Sequence, residues 1–156
     1  MSQSTPELTT LEPIQAAVVH RTVPMSELRT FFDSVFGTVM AAVHEQQVAV
    51  TGPPFAMYFG MPTDTVDVAA GFPTGRRISP TAEGVVPFEL PGGRAVQFLH
   101  VGSYDDLGEA YARMTAWMGE QALTPADAMW ESYLTEPTPG GDPAANQTLI
   151  TWPVRD

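Results

Sequence analysis

The feature that most constrains this chain is that it reads twice. Ala17-Val18-Val19-His20-Arg21-Thr22-Val23 leads into a helical run containing Leu28. In the same way, Ala95-Val96-Gln97-Phe98-Leu99-His100-Val101 leads into one containing Leu107. Tyr58 follows the first helical run as Tyr133 follows the second, and Phe72-Pro73-Thr74 closes one half as Trp152-Pro153-Val154 closes the other. Each half is therefore strand, long helix, strand, strand, with offsets between 75 (133 − 58) and 80 (152 − 72) residues. One helix and one small sheet bury too little surface to stand alone. Two halves packed about a pseudo-twofold complete a core and leave a central ligand cleft, since pockets favour such junctions. The expected fold class is α+β: a duplicated β-α-β-β module with antiparallel sheets and two long helices. Residues 1–13 are expected to be a flexible segment, and 14–156 a single domain with half-repeats at about 14–80 and 85–154.

The periodicities support that order. Leu28, Phe31, Phe32, Val35, Phe36, Val39, Met40 and Val43 recur at three- and four-residue steps and trace one apolar stripe. On that pattern Phe31, Phe32 and Phe36 are core, Pro24 and Ser26 suit the helix start, and Gly52-Pro53-Pro54 enforces an end. Leu107, Ala110, Tyr111, Met114 and Met118 form a second stripe, preceded by Ser103 and Asp106 in a capping-box pattern. Residues 14–23, 55–59, 66–72, 85–90, 95–101, 129–134 and 148–154 are short, β-branched or aromatic, and bounded by Gly, Pro or Asp. Pro91-Gly92-Gly93 suits a tight turn, and 137–146, with three prolines and two glycines, suits a surface loop.

Composition excludes more than it identifies. With 156 residues and 44% hydrophobic content, the chain has enough apolar material for one domain core. There are 18 acidic and 7 basic residues, a formal charge of −11, and every basic residue is arginine. So few scattered cations suit neither a phosphate backbone nor an anionic membrane surface, so no direct nucleic-acid binding and no membrane role are expected. Without lysine there is no Schiff-base chemistry, and without cysteine there is no thiol catalysis or thiolate metal site. The first residues lack the basic and apolar regions of a signal peptide, which leads to an expected cytoplasmic location. His20, His44 and His100 stand far apart in the sequence, so neither a metal site nor any cofactor is expected.

One short segment stands out. In Met129-Trp130-Glu131-Ser132-Tyr133, strand alternation puts Glu131 and Tyr133 on one face and Trp130 and Ser132 on the other. A carboxylate in the middle of an aromatic strand either faces solvent, pairs with an arginine, or lies at the floor of an aromatic cleft. In the last case it selects cations or acts as a general acid or base. Tyr58, Tyr104, Tyr111 and Trp117 are the other aromatics placed to wall such a cleft.

These segments, in this order, resemble the GyrI-like small-molecule-binding family, which also supplies effector-binding domains to AraC- and MerR-type bacterial regulators. The matching stretches are Leu90-Pro91-Gly92-Gly93-Arg94-Ala95, His100-Val101-Gly102-Ser103-Tyr104-Asp105-Asp106-Leu107, Trp130-Glu131-Ser132-Tyr133-Leu134, Glu136-Pro137 and Thr151-Trp152-Pro153-Val154. In the first half, Gly52-Pro53-Pro54-Phe55-Ala56-Met57-Tyr58 fits as well. Ser103 replaces the proline usual after the glycine of the family's G-P-Y motif, which alters the start of the second helix. The resemblance implies a duplicated β-α-β-β fold and a groove for bulky, flat, often cationic aromatics. By motif match its glutamate is Glu131, with Tyr133, Trp130, Tyr58, Tyr104, Tyr111 and Trp117 as ligand-binding walls.

Two functions follow from the resemblance. One is a stand-alone, multidrug-type binding protein for lipophilic aromatic cations, with no residues left over for a DNA-binding module. The other is a hydrolase that opens strained, cyclopropanoid-type rings of genotoxic natural products, with Glu131, Tyr133 and Tyr58 catalytic. A third role, inhibition of a topoisomerase or binding of another protein partner, is permitted by the acidic charge alone.

Overall fold

The computed structural model describes residues 5–60, 63–102, 107–134 and 146–155. The described strands are β1 (Glu7–Leu11), β2 (Ile14–Pro24), β3 (Phe55–Phe59), β4 (Thr65–Pro73), β5 (Val86–Leu90), β6 (Gly93–Val101), β7 (Thr124–Pro125), β8 (Ala128–Tyr133) and β9 (Gln147–Arg155). The two helices are α1 (Leu28–Glu45) and α2 (Leu107–Glu120). The architecture is α+β, and the chain divides into two compact units. One unit is Glu12–Gly92; the other is Gly93–Asp156 together with Met1–Leu11.

Both units have the same antiparallel strand order. In the first it is β5-β2-β4-β3, and in the second β1-β6-β9-β8, with the short β7 also on β9. The duplicated β-α-β-β module is therefore present, with an outer strand added to each copy. Those outer strands depart from the sequence expectation. Glu7–Leu11 is not a flexible segment but β1, paired from Glu7↔Gln97 to Leu11↔Gly93. A half-exposed edge strand needs backbone hydrogen bonds more than an apolar pattern, so its burial pattern carries little sequence signal. Val86–Leu90, assigned from sequence to the second half, pairs with β2 and belongs to the first unit. Each outer strand thus precedes one module in sequence and pairs with the other.

The helices also match, once they are aligned from their C-terminal ends. Val35, Val39 and Val43 of α1 are buried, as are Ala110, Met114 and Met118 of α2, each pair 75 residues apart (110 − 35). Both helices close with the same hydrogen bonds: Gln47 N–H to His44 and Val48 N–H to Val43, then Ala122 N–H to Gly119 and Leu123 N–H to Met118. Gln47 and Ala122 both have φ 58°. This is a Schellman closure without glycine. It ends α1 at Glu45, ahead of Gly52-Pro53-Pro54, beyond which no helix was expected to run. Ser26 makes no capping bond; a 3₁₀ turn over Met25–Glu27 leads into α1.

Phe31 is buried as expected, but Phe32 and Phe36 are only half-buried. Their rings lie parallel with centroids 6.0 Å apart, and Phe36 meets Phe72 edge-on at 5.9 Å. The apolar stripe is wider than the surface α1 buries, so its flank stays partly open. Ser103, Tyr104, Asp106 and most of the expected 137–146 loop lie outside the described residues. No helix among the described residues is long and apolar enough to cross a membrane.

Candidate ligand-binding site

The second unit turns one sheet face toward α2, and strand register decides what lies on it. Glu131 of β8 is opposite Ile150 of β9; Tyr133 is opposite Thr148, which is opposite His100 of β6. Glu131, Tyr133, Thr148, Ile150 and His100 therefore share a face, as alternation along each strand requires. Tyr111, one residue after the buried Ala110 of α2, comes down onto it.

Here Tyr111 and Tyr133 converge on the carboxylate. The Tyr133 hydroxyl donates to Glu131 Oε1 at 2.8 Å, and the Tyr111 hydroxyl donates to Oε2. Each oxygen thus has its own phenol donor. Tyr111 also lies 3.8 Å from Met129 Sδ and meets the Trp152 ring edge-on, with centroids 6.2 Å apart. Trp152 is anchored in turn by its indole N–H, which donates to the Ala126 carbonyl at 2.9 Å.

Glu131 is 6% exposed, so the solvent-facing alternative is excluded. Burial raises its carboxyl above the ordinary value of 4.5; the bonds from Tyr111 and Tyr133, and then the charge of His100, act in the opposite direction. Among the described residues no arginine pairs with it. Neutral phenols, rather than a salt-bridged cation, satisfy its two oxygens.

The site residues expected from sequence are not all brought together. Tyr111, Glu131 and Tyr133 are. Trp130 is buried on the opposite face of β8, opposite Thr151. Trp117 is half-buried on α2, six residues beyond Tyr111, which at 100° per residue sets it about 120° around the helix. Tyr58 belongs to β3 of the first unit, opposite Val68. Tyr104 lies outside the described residues. Sequence reasoning missed Trp152, Thr148 and His100 as neighbours of Glu131. Alternation along 148–154 would have put Thr148 and Trp152 on one face, but pairing alone shows which face that is.

The repeat explains why one unit carries the polar site. Tyr58↔Val68 and Ala56↔Ala70 in the first unit correspond to Tyr133↔Thr148 and Glu131↔Ile150 in the second. Phe36, edge-on to Phe72, corresponds to Tyr111, edge-on to Trp152. One scaffold thus holds Phe36, Ala56 and Val68 in one copy and Tyr111, Glu131 and Thr148 in the other.

A duplicated β-α-β-β fold of this kind is that of a small-molecule-binding domain. The chain belongs to the GyrI-like family, whose model, described as a GyrI-like small molecule binding domain, matches residues 4–155. The fold is similar to the crystal structure of the EcmrR C-terminal domain, with TM-score 0.84, 19% identity, and 99% of each chain covered. In an EcmrR–DNA complex solved by cryo-EM, the match covers 96% of this chain but spans only 57% of that one, at TM-score 0.83 and 18% identity. A hydrolase from Listeria innocua matches with TM-score 0.72 and 12% identity over 99% of this chain and 94% of that one. SAV2435, solved bound to tetraphenylphosphonium, matches with TM-score 0.62 and 13% identity over 97% and 94%. No curated protein sequence matches the chain.

Proposed function

We propose that this GyrI-like domain binds bulky, flat, lipophilic aromatic cations, with Glu131 as the charge-selecting group and Tyr111, Tyr133 and Trp152 around it. The observation that carries this reading is a buried carboxylate whose two oxygens are each held by a neutral phenol. Aromatic edges and faces supply apolar area, and each cation–ring contact is worth about 0.5–2 kcal/mol. The desolvated charge then discriminates a cation from a neutral molecule of the same shape. The tetraphenylphosphonium held by SAV2435, a lipophilic cation, is in keeping with this ligand class. Trp117 of α2 stays in the proposal as further aromatic surface; Trp130, buried on the opposite face of β8, does not.

The test is a fluorescence titration of wild type and Glu131→Gln with the cation rhodamine 6G and an uncharged dye of similar area. Loss of one charge-assisted contact weakens cation binding roughly tenfold or more, while the neutral dye is unaffected. Equal binding of the cation by both proteins overturns charge selection by Glu131.

A second reading rests on the raised proton affinity of the same carboxyl. A carboxyl with raised proton affinity, beside two phenols, suits proton transfer in ring opening: its acid form protonates a leaving group, and its carboxylate form takes a proton from attacking water. Turnover of a cyclopropanoid substrate by wild type and its loss in Glu131→Gln supports this reading; unchanged turnover in the variant removes Glu131 as the catalyst.

A further inference from the structure

Three side chains on the site face of the second unit are more polar than their counterparts in the first: Tyr111 for Phe36, Glu131 for Ala56, and Thr148 for Val68. Two of the three satisfy each other, since Tyr111 donates to Glu131. The third does not. Thr148 is 0% exposed and its Oγ1 has no hydrogen-bond partner among the described residues. Val68, its counterpart, is equally buried and shows that a side chain of this shape packs there without a hydroxyl. Thr148 therefore carries a buried polar atom for which the packing has no need, and an unpaired buried hydroxyl costs stability.

Its position gives the hydroxyl a use. Thr148 stands directly opposite Tyr133, whose own hydroxyl is committed to Glu131, and next to His100 in the same row. Directly opposed residues hold their β-carbons about 5 Å apart, and diagonal ones such as Glu131 and Thr148 about 7–8 Å. We propose that Thr148 is a second ligand contact: its hydroxyl bonds a polar atom that the cationic ligand carries within about 8 Å of its charge. This rests on the reading of Glu131 as the cation site and sharpens it. The ligand class becomes aromatic cations bearing a hydroxyl, carbonyl, ether or amine, and Thr148 sets the preference for them over purely hydrocarbon cations. A hydroxyl both donates and accepts, so either polarity of ligand group is suitable.

Two matched cations test the proposal: tetraphenylphosphonium and its analogue with one para-hydroxyl. Calorimetric titration of the full chain is expected to show wild type favouring the hydroxylated cation by roughly three- to tenfold, the worth of one added hydrogen bond. Thr148→Val abolishes that preference and melts about 2–4 °C higher because the unpaired hydroxyl is gone. Thr148→Ser keeps the preference. Glu131→Gln weakens both cations together and preserves their ratio. No preference in wild type, or a preference that survives in Thr148→Val, overturns the role of Thr148 while leaving that of Glu131 intact. Equal binding of both cations by wild type and Glu131→Gln, or binding of neither, overturns the cation site and Thr148's role with it.

Discussion

Replacing Glu131 by glutamine should stabilise the protein at neutral pH, although it removes a carboxylate that accepts two hydrogen bonds. The carboxyl is raised above its ordinary value of 4.5 by burial, and that direction is already net of the bonds from Tyr111 and Tyr133 and of the charge of His100. A carboxyl bound more tightly to its proton in the folded state than in the unfolded one contributes its full stability below the unfolded value. That contribution is lost as pH rises through the folded value. As pH rises past the unfolded value the fold bears a growing cost at this carboxyl; glutamine, close in shape to the neutral acid, bears none. Each tenfold increase in proton affinity corresponds to about 1.4 kcal/mol, or roughly 3–5 °C in melting temperature for a domain of this size. Melting curves of wild type and Glu131→Gln between pH 4 and 8 measure the difference, and groups common to both proteins cancel. The variant should melt higher at pH 7, with the gap closing toward pH 4. A variant that melts lower at pH 7, or a gap that does not vary with pH, refutes the claim that desolvation dominates at this carboxyl.

Two further outcomes follow from the repeat and the sheet. Ala56→Glu places a carboxylate at the fully buried counterpart of Glu131, where Phe36 stands in place of Tyr111. It should cost about 3–5 kcal/mol in urea unfolding at pH 7, less at pH 4, with part recovered by adding Phe36→Tyr. Gly71→Ala should be among the most damaging single changes, at about 3 kcal/mol or more. Its β-carbon would sit 1.8 Å from the Ala17 carbonyl oxygen and 2.9 Å from Val18 Cα, so the β2–β4 pairing must give way. A circular-dichroism melt within a degree of wild type would show that the strand pair accommodates the methyl.

Much of the fold was legible because it is written in local periods. The 3.6-residue stripes of 28–43 and 107–118 and the short β-branched runs are consequences of which face must be dry, and they appear without knowledge of partners. The repeat could be read for the same reason: each copy must solve the same burial problem. β1 was missed because a five-residue edge strand needs little apolar patterning, and β5 was assigned to the wrong half because pairing between distant strands leaves no local trace. The site was half legible. Glu131 was conspicuous as a charge among aromatics, and Tyr133 followed from alternation. Trp130, adjacent in sequence to the carboxylate, is excluded from its face by that same alternation.

What the sequence determined by itself, then, is a duplicated α+β module with one anomalous carboxylate, since composition and periodicity are properties of the chain alone. The tertiary structure decided what that carboxylate is. Strand register and the seat of α2 bring Tyr111 and Tyr133 to its two oxygens, leave Thr148 Oγ1 without a partner among the described residues, and put Ala56 in the corresponding place of the other copy. The free energy of a buried charge depends on what surrounds it within a few ångströms, and those neighbours come from strands and a helix far apart in the sequence.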